Sequence, residues 1–116
     1  MTDDMAIPRP GRPVRGSRSG APVMALLDLL GRRWALGILW VLAERGPLAF
    51  NALQAQCESI SPGVLNTRIK ELKLAKLIES DAGCYRVTAH GRALFDLIAP
   101  LGQWARAEWS KALEAE

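Results

Sequence analysis

Residues 60–77 have the sequence ISPGVLNTRIKELKLAKL, a pattern that predicts one amphipathic helix with its own start signal. Ser61 can cap this helix, and Pro62 suits its first turn, where a missing N–H costs nothing. One face is apolar, and the opposite face is small, polar and basic. At about 100° per residue the apolar face holds Leu65, Ile69 and Leu72, and the opposite face holds Gly63, Thr67, Lys70 and Leu74, with Asn66 and Lys73 on a shoulder.

The polar face of this helix suits the major groove of duplex DNA. Asn side chains can pair with base edges there, and Lys side chains can contact bases or phosphates. An ordinary surface helix with solvated charges has the same pattern, so the neighbouring segments have to decide between the two.

Two apolar helices are predicted earlier in the chain. Pro22 opens the first, which ends at Gly31, and the second runs from Trp34 to Ala43. Both are apolar over most of their surface and must be covered by other parts of the chain. Arg32 and Arg33 form a basic corner between them.

A third, shorter helix leads into the 60–77 stretch. Gly46-Pro47 ends the second helix, and residues 48–50 are too short for more than a small strand. Asn51 can cap a helix that reaches about Cys57. Two short helices joined by a tight turn, the second with a basic outer face, predict a helix-turn-helix.

After Leu77 the hydrophobic period changes from helical to alternating. Residues 77–80 and 84–87 flank Asp81-Ala82-Gly83, which predicts a β-hairpin with Gly in its turn. A hairpin directly after a recognition helix is a wing.

The end of the chain carries more aromatic surface than a small domain needs for its own core. Thr88 can cap a helix through Ile98, and Pro100 restarts a last helix. Trp104 and Trp109 lie in that last helix, and exposed patches of this kind usually mark an interface. The alternative is that both indoles pack back on the first helix of the same chain.

Composition restricts the function of the chain. It has 116 residues, enough for one domain but too few for a two-domain enzyme. A net charge of +3 and a pI of about 9.2 are compatible with nucleic acid as a partner. Because no Ser/His/Asp set, predicted carboxylate pair or Gly-rich phosphate loop is present, we expect neither enzymatic activity nor a cofactor.

The two cysteines and the single histidine argue against a structural zinc site. Cys57 and Cys84 lie too far apart for a CxxC motif, and His90 is the one histidine of the chain. Both thiols are interpreted as buried small hydrophobes, with oxidant sensing as the alternative. Since no apolar run matches a transmembrane span or a signal peptide, we expect a cytoplasmic protein with reduced thiols.

Residues 1–20 predict a disordered arm that precedes a folded domain at 21–116. The arm contains much of the Pro and Gly and almost no large apolar side chain. It carries four arginines at a three-residue spacing, namely Arg9, Arg12, Arg15 and Arg18. Such an arm can follow a DNA backbone or enter a minor groove, or it can be a solubilising tail.

Five segments occur together in a characteristic order and spacing. They are LDLLGRRWALGILWVL (27–42), GPLAFNAL (46–53), ISPGVLNTRIKEL (60–72), LAKLIE (74–79) and YRVTAHGRAL (85–94). The series resembles the HxlR-type transcriptional regulators, dimeric winged-helix proteins of bacteria related to the MarR group. The resemblance implies a mainly α (α+β) winged helix-turn-helix with a short β-hairpin wing, flanked by N- and C-terminal dimerisation helices.

The resemblance also implies operator binding as a homodimer and adds to the candidate sites. The predicted dimer interface consists of Val23, Leu26, Leu27, Leu97, Leu101, Trp104 and Trp109. The predicted DNA-facing set consists of Arg32, Arg33, Ser61, Pro62, Gly63, Asn66, Thr67, Arg68, Lys70 and Arg86. Within that set, Arg68 can instead pair with Glu71 or Glu44.

Three departures from the family pattern weaken the expected DNA contacts or remove a sensor. Ala21-Pro22 stands where oxidant-sensing members commonly carry Cys-Pro, which excludes redox sensing through that position. Ala49 stands where an Arg often precedes Phe50. The wing is short and has Asp81 at its tip, so it should reach the minor groove poorly. Affinity would then rest on the recognition helix, the Arg32-Arg33 corner and the arm.

The sequence therefore predicts a dimeric DNA-binding transcriptional regulator, with repression as the default. A ligand-sensing version would hold a small apolar effector between the first and the C-terminal helices, lined by Leu26, Leu30, Leu101 and Trp104. The competing hypothesis is a protein-interaction module that keeps the fold but has lost operator recognition.

Overall fold

The computed structural model describes residues 7–115, so the first six residues of the predicted arm and Glu116 lie outside the described part. Six α-helices, a two-stranded hairpin and one π-helical turn make up this part. They are α1 (Pro22–Leu30), α2 (Ala35–Arg45), α3 (Phe50–Gln56), α4 (Pro62–Leu74), β1 (Ile78–Asp81), β2 (Cys84–Val87), α5 (Ala89–Trp104), the π-turn (Ala105–Trp109) and α6 (Ser110–Glu114). The order and types of elements confirm the predicted winged helix-turn-helix.

The core lies where α2, α3 and α4 meet the base of the hairpin. Its fully buried large side chains are Ile38, Leu39, Leu42, Leu53, Leu65, Ile69, Leu72 and Ile78. Three of them form the apolar face predicted for α4. Burial of this face fixes which side of α4 points outward.

Two predicted caps are present and connect neighbouring elements. The Ser61 hydroxyl accepts a hydrogen bond from the Val64 N–H (3.2 Å), and Thr88 accepts one from the Gly91 N–H (3.0 Å). Thr88 also donates to the Lys76 carbonyl (2.7 Å), which fastens the start of α5 to the end of α4. A Cβ at Gly91 would lie 2.1 Å from the Leu77 carbonyl oxygen, so this approach requires glycine.

The first strand lies one residue later than predicted, and the turn is one residue shorter. Asp81 pairs with Cys84 inside the ladder, which leaves Ala82 and Gly83 as a two-residue turn with φ of 53° and 83°. Both values are in the left-handed region that type I′ turns require. The predicted small strand at 48–50 is a single bridge from Leu48 to Tyr85.

Two predicted helix starts shift, that of α2 by one residue and that of α3 by two. α2 begins at Ala35 because Trp34 adopts a left-handed conformation with φ of 77°. α3 begins at Phe50, and Asn51 lies inside the helix instead of capping it. The extended backbone of Ala49 occupies the cap position and makes no side-chain hydrogen bond there.

The predicted break at Pro100 is wrong, because α5 runs through this residue. Packing on both sides of Pro100 holds the helix together. The Phe95 and Trp40 rings meet edge-on, with their centres 5.1 Å apart. Trp40 also packs against Gly102, so closely that a Cβ on this glycine would be 3.1 Å from the indole. Pro100 itself is exposed. The contact between α2 and α5 offsets the cost of its missing N–H.

The N-terminal segment 7–20 follows a defined course, where the sequence predicted a disordered arm. The Gly11 N–H donates to the Gly20 carbonyl (2.9 Å), and Val14 and Ser17 exchange two hydrogen bonds. The Arg15 N–H donates to the Asp28 carboxylate of α1 (3.1 Å). Backbone hydrogen bonds thus give this segment a fold that its few apolar side chains did not predict.

Candidate nucleic-acid interface

The outward face of α4 is polar, basic and exposed. Its exposed residues include Gly63, Asn66, Lys70 and Lys73, while Thr67 is half-buried. Within residues 7–115, Lys70 and Lys73 have neither an ion pair nor a side-chain hydrogen bond. At the N-terminus of the helix, Ser61 and Pro62 are exposed as well. The outward face of α4 therefore runs from an exposed helix N-terminus, past an amide, to two uncommitted ammonium groups, a combination that suits bases and phosphates.

Two arginines of the predicted DNA-facing set are held by one buried carboxylate. Glu71 is 5% exposed and is the buried charged residue among residues 7–115. Its carboxylate accepts from Arg32 at 2.6 Å and from Arg68 at 3.0 Å. We call these three residues the Glu71 cluster. It joins the corner between α1 and α2 to the recognition helix.

A second donor of Arg68 contacts the α1–α2 corner. Its Nε donates to the Arg33 carbonyl at 2.8 Å. The guanidinium of Arg33 is exposed and lies 5.2 Å from the centre of the Trp34 ring. Arg68 therefore acts as a clamp between α4 and the preceding corner, whereas Arg33 remains accessible to solvent.

On the wing, one arginine is held by two carboxylates. Arg86 bonds Glu79, directly opposite it on β1, at 2.8 Å, and Asp81 at 3.1 Å. The hydrogen bond that Arg86 donates to Glu79 and the charges of both carboxylates raise the pKa of Arg86 above its ordinary value. We call these residues the wing cluster. It carries one more negative than positive charge at neutral pH.

Six of the seven predicted interface residues are exposed. Their exposures are 60% for Val23 and 54% for Leu27 on α1, and 78% for Leu97, 60% for Leu101, 52% for Trp104 and 53% for Trp109 toward the end of the chain. The alternative, in which both indoles pack on α1 of the same chain, does not hold at these exposures.

The π-turn keeps the apolar side chains of the last helices in one stripe. In an uninterrupted α-helix, Trp109 would lie roughly 120° around the axis from Leu97. The π-turn at 105–109 adds about one residue to the helix and rotates Trp109 back by roughly 100°. Leu97, Leu101, Trp104 and Trp109 therefore share one exposed face.

Leu26 differs from the other predicted interface residues. It is half-buried and lines a cleft of about 290 Å³ between the N-terminal segment and the end of α4, together with Ile7 and Leu74. Leu30 is buried in the core, while Leu101 and Trp104 are exposed. The structure thus does not bring together the four residues of the predicted effector pocket.

The two thiols differ in burial. Cys57 is buried, and burial raises the pKa of its thiol, whereas Cys84 is half-buried on the wing. Among residues 7–115, no group of His, Cys, Asp and Glu side chains is arranged to hold a metal ion. Within the same range, every helix is too short or too polar to cross a bilayer.

Sequence reasoning missed Glu71 as the centre of a cluster and the two partners of Arg86. The signal for the wing cluster was present, because an antiparallel hairpin places residues 79 and 86 opposite each other. The pairing of Arg68 with Glu71 confirms one of the two alternative partners that the sequence offered for Arg68. The third member, Arg32, is 39 residues away in sequence and only the fold brings it to Glu71.

The chain is similar to known regulators along most of its length. A family model described as HxlR-like helix-turn-helix matches residues 29–112. The HTH-type transcriptional regulator YybR of Bacillus subtilis is 26% identical over 95 residues, which span 76% of this chain and 75% of YybR.

Solved structures of the same kind share the fold. Quinone-bound YodB of B. subtilis has a TM-score of 0.68 at 30% identity and aligns with 73% of this chain and 96% of YodB. A possible HxlR family transcriptional factor of Thermoplasma volcanium has a TM-score of 0.65 at 27% identity, covering 82% of this chain and 86% of the other.

Proposed function

The chain belongs to the HxlR-like helix-turn-helix family of transcriptional regulators, which are not enzymes, and we propose that it represses transcription as a homodimer bound to operator DNA. In this proposal α4 lies in the major groove of duplex DNA. Asn66 and Thr67 contact base edges, while Lys70 and Lys73 contact bases or phosphates. Ser61 and the helix N-terminus add a phosphate contact.

The outward face of α4 is the observation that carries this proposal. Its ammonium groups have no carboxylate partner among the described residues, and its opposite face is fixed by burial in the core. A protein cation that is not already neutralised can release a counterion from DNA when it meets a phosphate. Arg33 is the further exposed cation at the α1–α2 corner, whereas Arg32, Arg68 and Arg86 are held by carboxylates.

The exposed apolar stripe supports the proposed homodimer. Val23 and Leu27 on α1 and the stripe from Leu97 to Trp109 present large apolar side chains to water in the isolated chain. Two copies of the chain related by a two-fold axis would cover them and place two α4 helices about one DNA turn, roughly 34 Å, apart. The expected operator is then pseudo-palindromic.

Fluorescence anisotropy with duplex DNA tests operator binding. The proposal predicts that the chain prefers duplex DNA from upstream of its own gene to a scrambled duplex by about 1,000-fold or more, and that binding weakens with salt. The variant carrying Lys70→Ala and Asn66→Ala should lose this preference. Equal, weak binding to a set of duplexes selected from the whole genome would contradict the proposal.

Sedimentation velocity tests the homodimer. Leu97→Glu should convert the dimer to a monomer, because Leu97 is 78% exposed in the single chain and its replacement leaves the monomer core intact. Gln103→Glu is the matched control, since this exposed residue lies roughly 120° away around α5. Equal molecular masses for both variants and the unaltered chain would contradict the proposed interface.

The neutralised wing favours a second candidate, a protein-interaction module that has lost operator recognition. Arg86 is engaged by its neighbours, and Ala49 offers no phosphate contact at the start of α3. This candidate predicts that binding to any duplex is weak and independent of α4. The salt dependence of DNA binding by the Lys70 variant therefore separates the two functions.

A further inference from the structure

We propose that the cleft between the N-terminal segment and the end of α4 binds a small aliphatic carboxylate, of about the size of octanoate. Its volume of about 290 Å³ is close to the lower end of the range for ligand pockets, about 300–1,000 Å³. Of the four residues of the effector pocket predicted from the sequence, only Leu26 lines it. The site does not depend on the proposed function, because it makes no assumption about DNA.

The walls of the cleft suit an aliphatic chain. They come from three parts of the molecule, with Ile7 and Pro8 on the N-terminal segment, Leu26 and Leu29 on α1, and Leu74 and Leu77 at and after the end of α4. A hydrocarbon chain that moves from water into such a cleft gains hydrophobic free energy. Because no aromatic side chain of the described residues lines the cleft, it offers no ring on which an aromatic ligand could stack.

Two cations at the edge of the cleft set the charge of its ligand. Arg9 and Lys76 line the cleft and are both exposed, and none of the described residues that line it is acidic. Among residues 7–115, the side chains of Arg9 and Lys76 have neither an ion pair nor a hydrogen bond. A carboxylate whose chain fills the cleft can accept charge-assisted hydrogen bonds from them without displacing another described group.

Backbone hydrogen bonds hold the wall that the N-terminal segment supplies. The Gly11 N–H donates to the Gly20 carbonyl (2.9 Å), and the Ser17 hydroxyl accepts from the N–H groups of Gly20 and Ala21, both at 3.1 Å. Gly20 is buried with a φ of 74°, and a Cβ there would overlap the Arg12 backbone. The wall is therefore preformed, and binding does not require the segment to become ordered.

An NMR titration of the full chain with octanoate tests the site. We expect the amide signals of Ile7, Leu26 and Leu77 to shift, while those of Leu97 and Leu101 on the exposed stripe stay in place. Octanol has the same chain without the charge and should bind about fivefold more weakly, because an exposed ion pair contributes up to about fivefold. Equal affinities for acid and alcohol, or shifts at the stripe alone, would overturn the inference.

A double variant tests the two cations. Arg9→Gln with Lys76→Gln should weaken octanoate binding about fivefold and leave the affinity for octanol unchanged. Arg18→Gln with Lys111→Gln is the matched control, because it removes the same charge from exposed positions outside the cleft. Equal weakening in both double variants would show that octanoate responds to net charge alone and would overturn the inference.

A third variant tests the wall. Gly20→Ala should displace the N-terminal segment and abolish the shifts at Leu26 and Leu77 for acid and alcohol alike, while circular dichroism reports that the helices remain. Unchanged binding by this variant would overturn the inference. Absence of binding by the unaltered chain would show that residues 1–6 or a second copy cover the cleft, and it would overturn the inference while leaving operator binding by α4 intact.

Discussion

The Glu71 cluster and the wing cluster each join three charged side chains, but the ratio of carboxylates to arginines is opposite in the two. In the first, one carboxylate holds two arginines beneath α4, and in the second, one arginine holds two carboxylates on the hairpin. The Glu71 side chain is 7% exposed, whereas that of Arg86 is 48% exposed. Both clusters remove arginines from the surface available to DNA, but only the buried one can contribute much to stability.

The difference teaches that charge alone does not locate a DNA-binding surface. Arg32, Arg68 and Arg86 all belong to the DNA-facing set predicted from the sequence, and each has a carboxylate within 3.0 Å of its guanidinium. Lys70 and Lys73 have no such partner among the described residues. A cation must be both exposed and uncommitted to meet a phosphate, and the fold decides both conditions.

Removing the two arginine partners of Glu71 should have the largest effect of the changes proposed, and this effect is on stability. The variant with Arg32→Ala and Arg68→Ala leaves Glu71 buried without a counter-charge, which we expect to lower the free energy of unfolding by about 3–5 kcal/mol. Urea denaturation followed by circular dichroism measures this change.

Two matched controls sharpen the contrast. Lys70→Ala with Lys73→Ala removes two cations from the same helix and should cost less than about 1 kcal/mol, because neither has a partner to lose. Arg86→Ala on the wing should leave the urea midpoint unchanged, since its ion pairs are exposed and screened by water. A double-arginine variant as stable as the lysine variant would show that the buried cluster contributes nothing.

The next largest effect concerns base contacts by α4. Asn66→Ala should weaken operator binding by about 1–3 kcal/mol, because a bidentate amide contact discriminates between bases by that amount. The salt slope of this variant, meaning the slope of log K against log salt concentration, should stay unchanged. On the wing, Ser80→Ala is the counterpart at an exposed position and should have no effect. Anisotropy titrations at several salt concentrations measure both properties, and an equal reduction in the two variants would contradict the assignment.

Releasing Arg86 on the wing should change DNA affinity less than the loss of Asn66. With Glu79→Gln and Asp81→Asn, Arg86 loses both partners and becomes an uncommitted cation, which should tighten binding to a scrambled duplex by about eightfold per new phosphate contact at roughly 0.1 M salt. Glu108→Gln with Glu114→Gln removes the same charge from the last helices and serves as the control. Equal tightening in both double variants would point to net charge alone.

Most of the fold could be predicted because it depends on local signals. The Ser61 and Thr88 caps, the apolar face of α4 and the change of period after Leu77 are all visible in short stretches of sequence. Pro100 was misleading because its local rule is overridden by Trp40, which packs against α5 on either side of it. Tertiary contacts of this kind have no local signal.

The candidate site was less predictable than the fold for the same reason. Which face of α4 points outward follows from periodicity, so Asn66 and Lys70 were identified correctly as exposed. Other contacts depend on partners that the fold brings from distant parts of the sequence. Arg32 meets Glu71 across 39 residues, and the Arg15 backbone meets Asp28 in a segment that composition marked as disordered.

The smallest expected effect is a difference in alkylation rate between the two thiols, which also differ in burial. Because burial raises the pKa of Cys57, less thiolate is present at a given pH and iodoacetamide should modify Cys57 more slowly than Cys84 on the wing. The rate at Cys57 should rise only at more alkaline pH, and urea should remove the difference. Peptide mass spectrometry after timed quenching measures both rates, and equal rates in the native protein would contradict the burial of Cys57.

The central claim is that α4, and not the wing, supplies the phosphate contacts. The most direct test compares the salt slopes of Lys70→Gln and Arg86→Gln on the same duplex. Each variant removes one positive charge per protomer, so net charge is matched. We predict that Lys70→Gln lowers the slope by about 0.9 for each phosphate that is no longer neutralised, or about 1.8 for a dimer, and that Arg86→Gln leaves it unchanged. A lower slope for Arg86→Gln with an unchanged slope for Lys70→Gln would contradict the account.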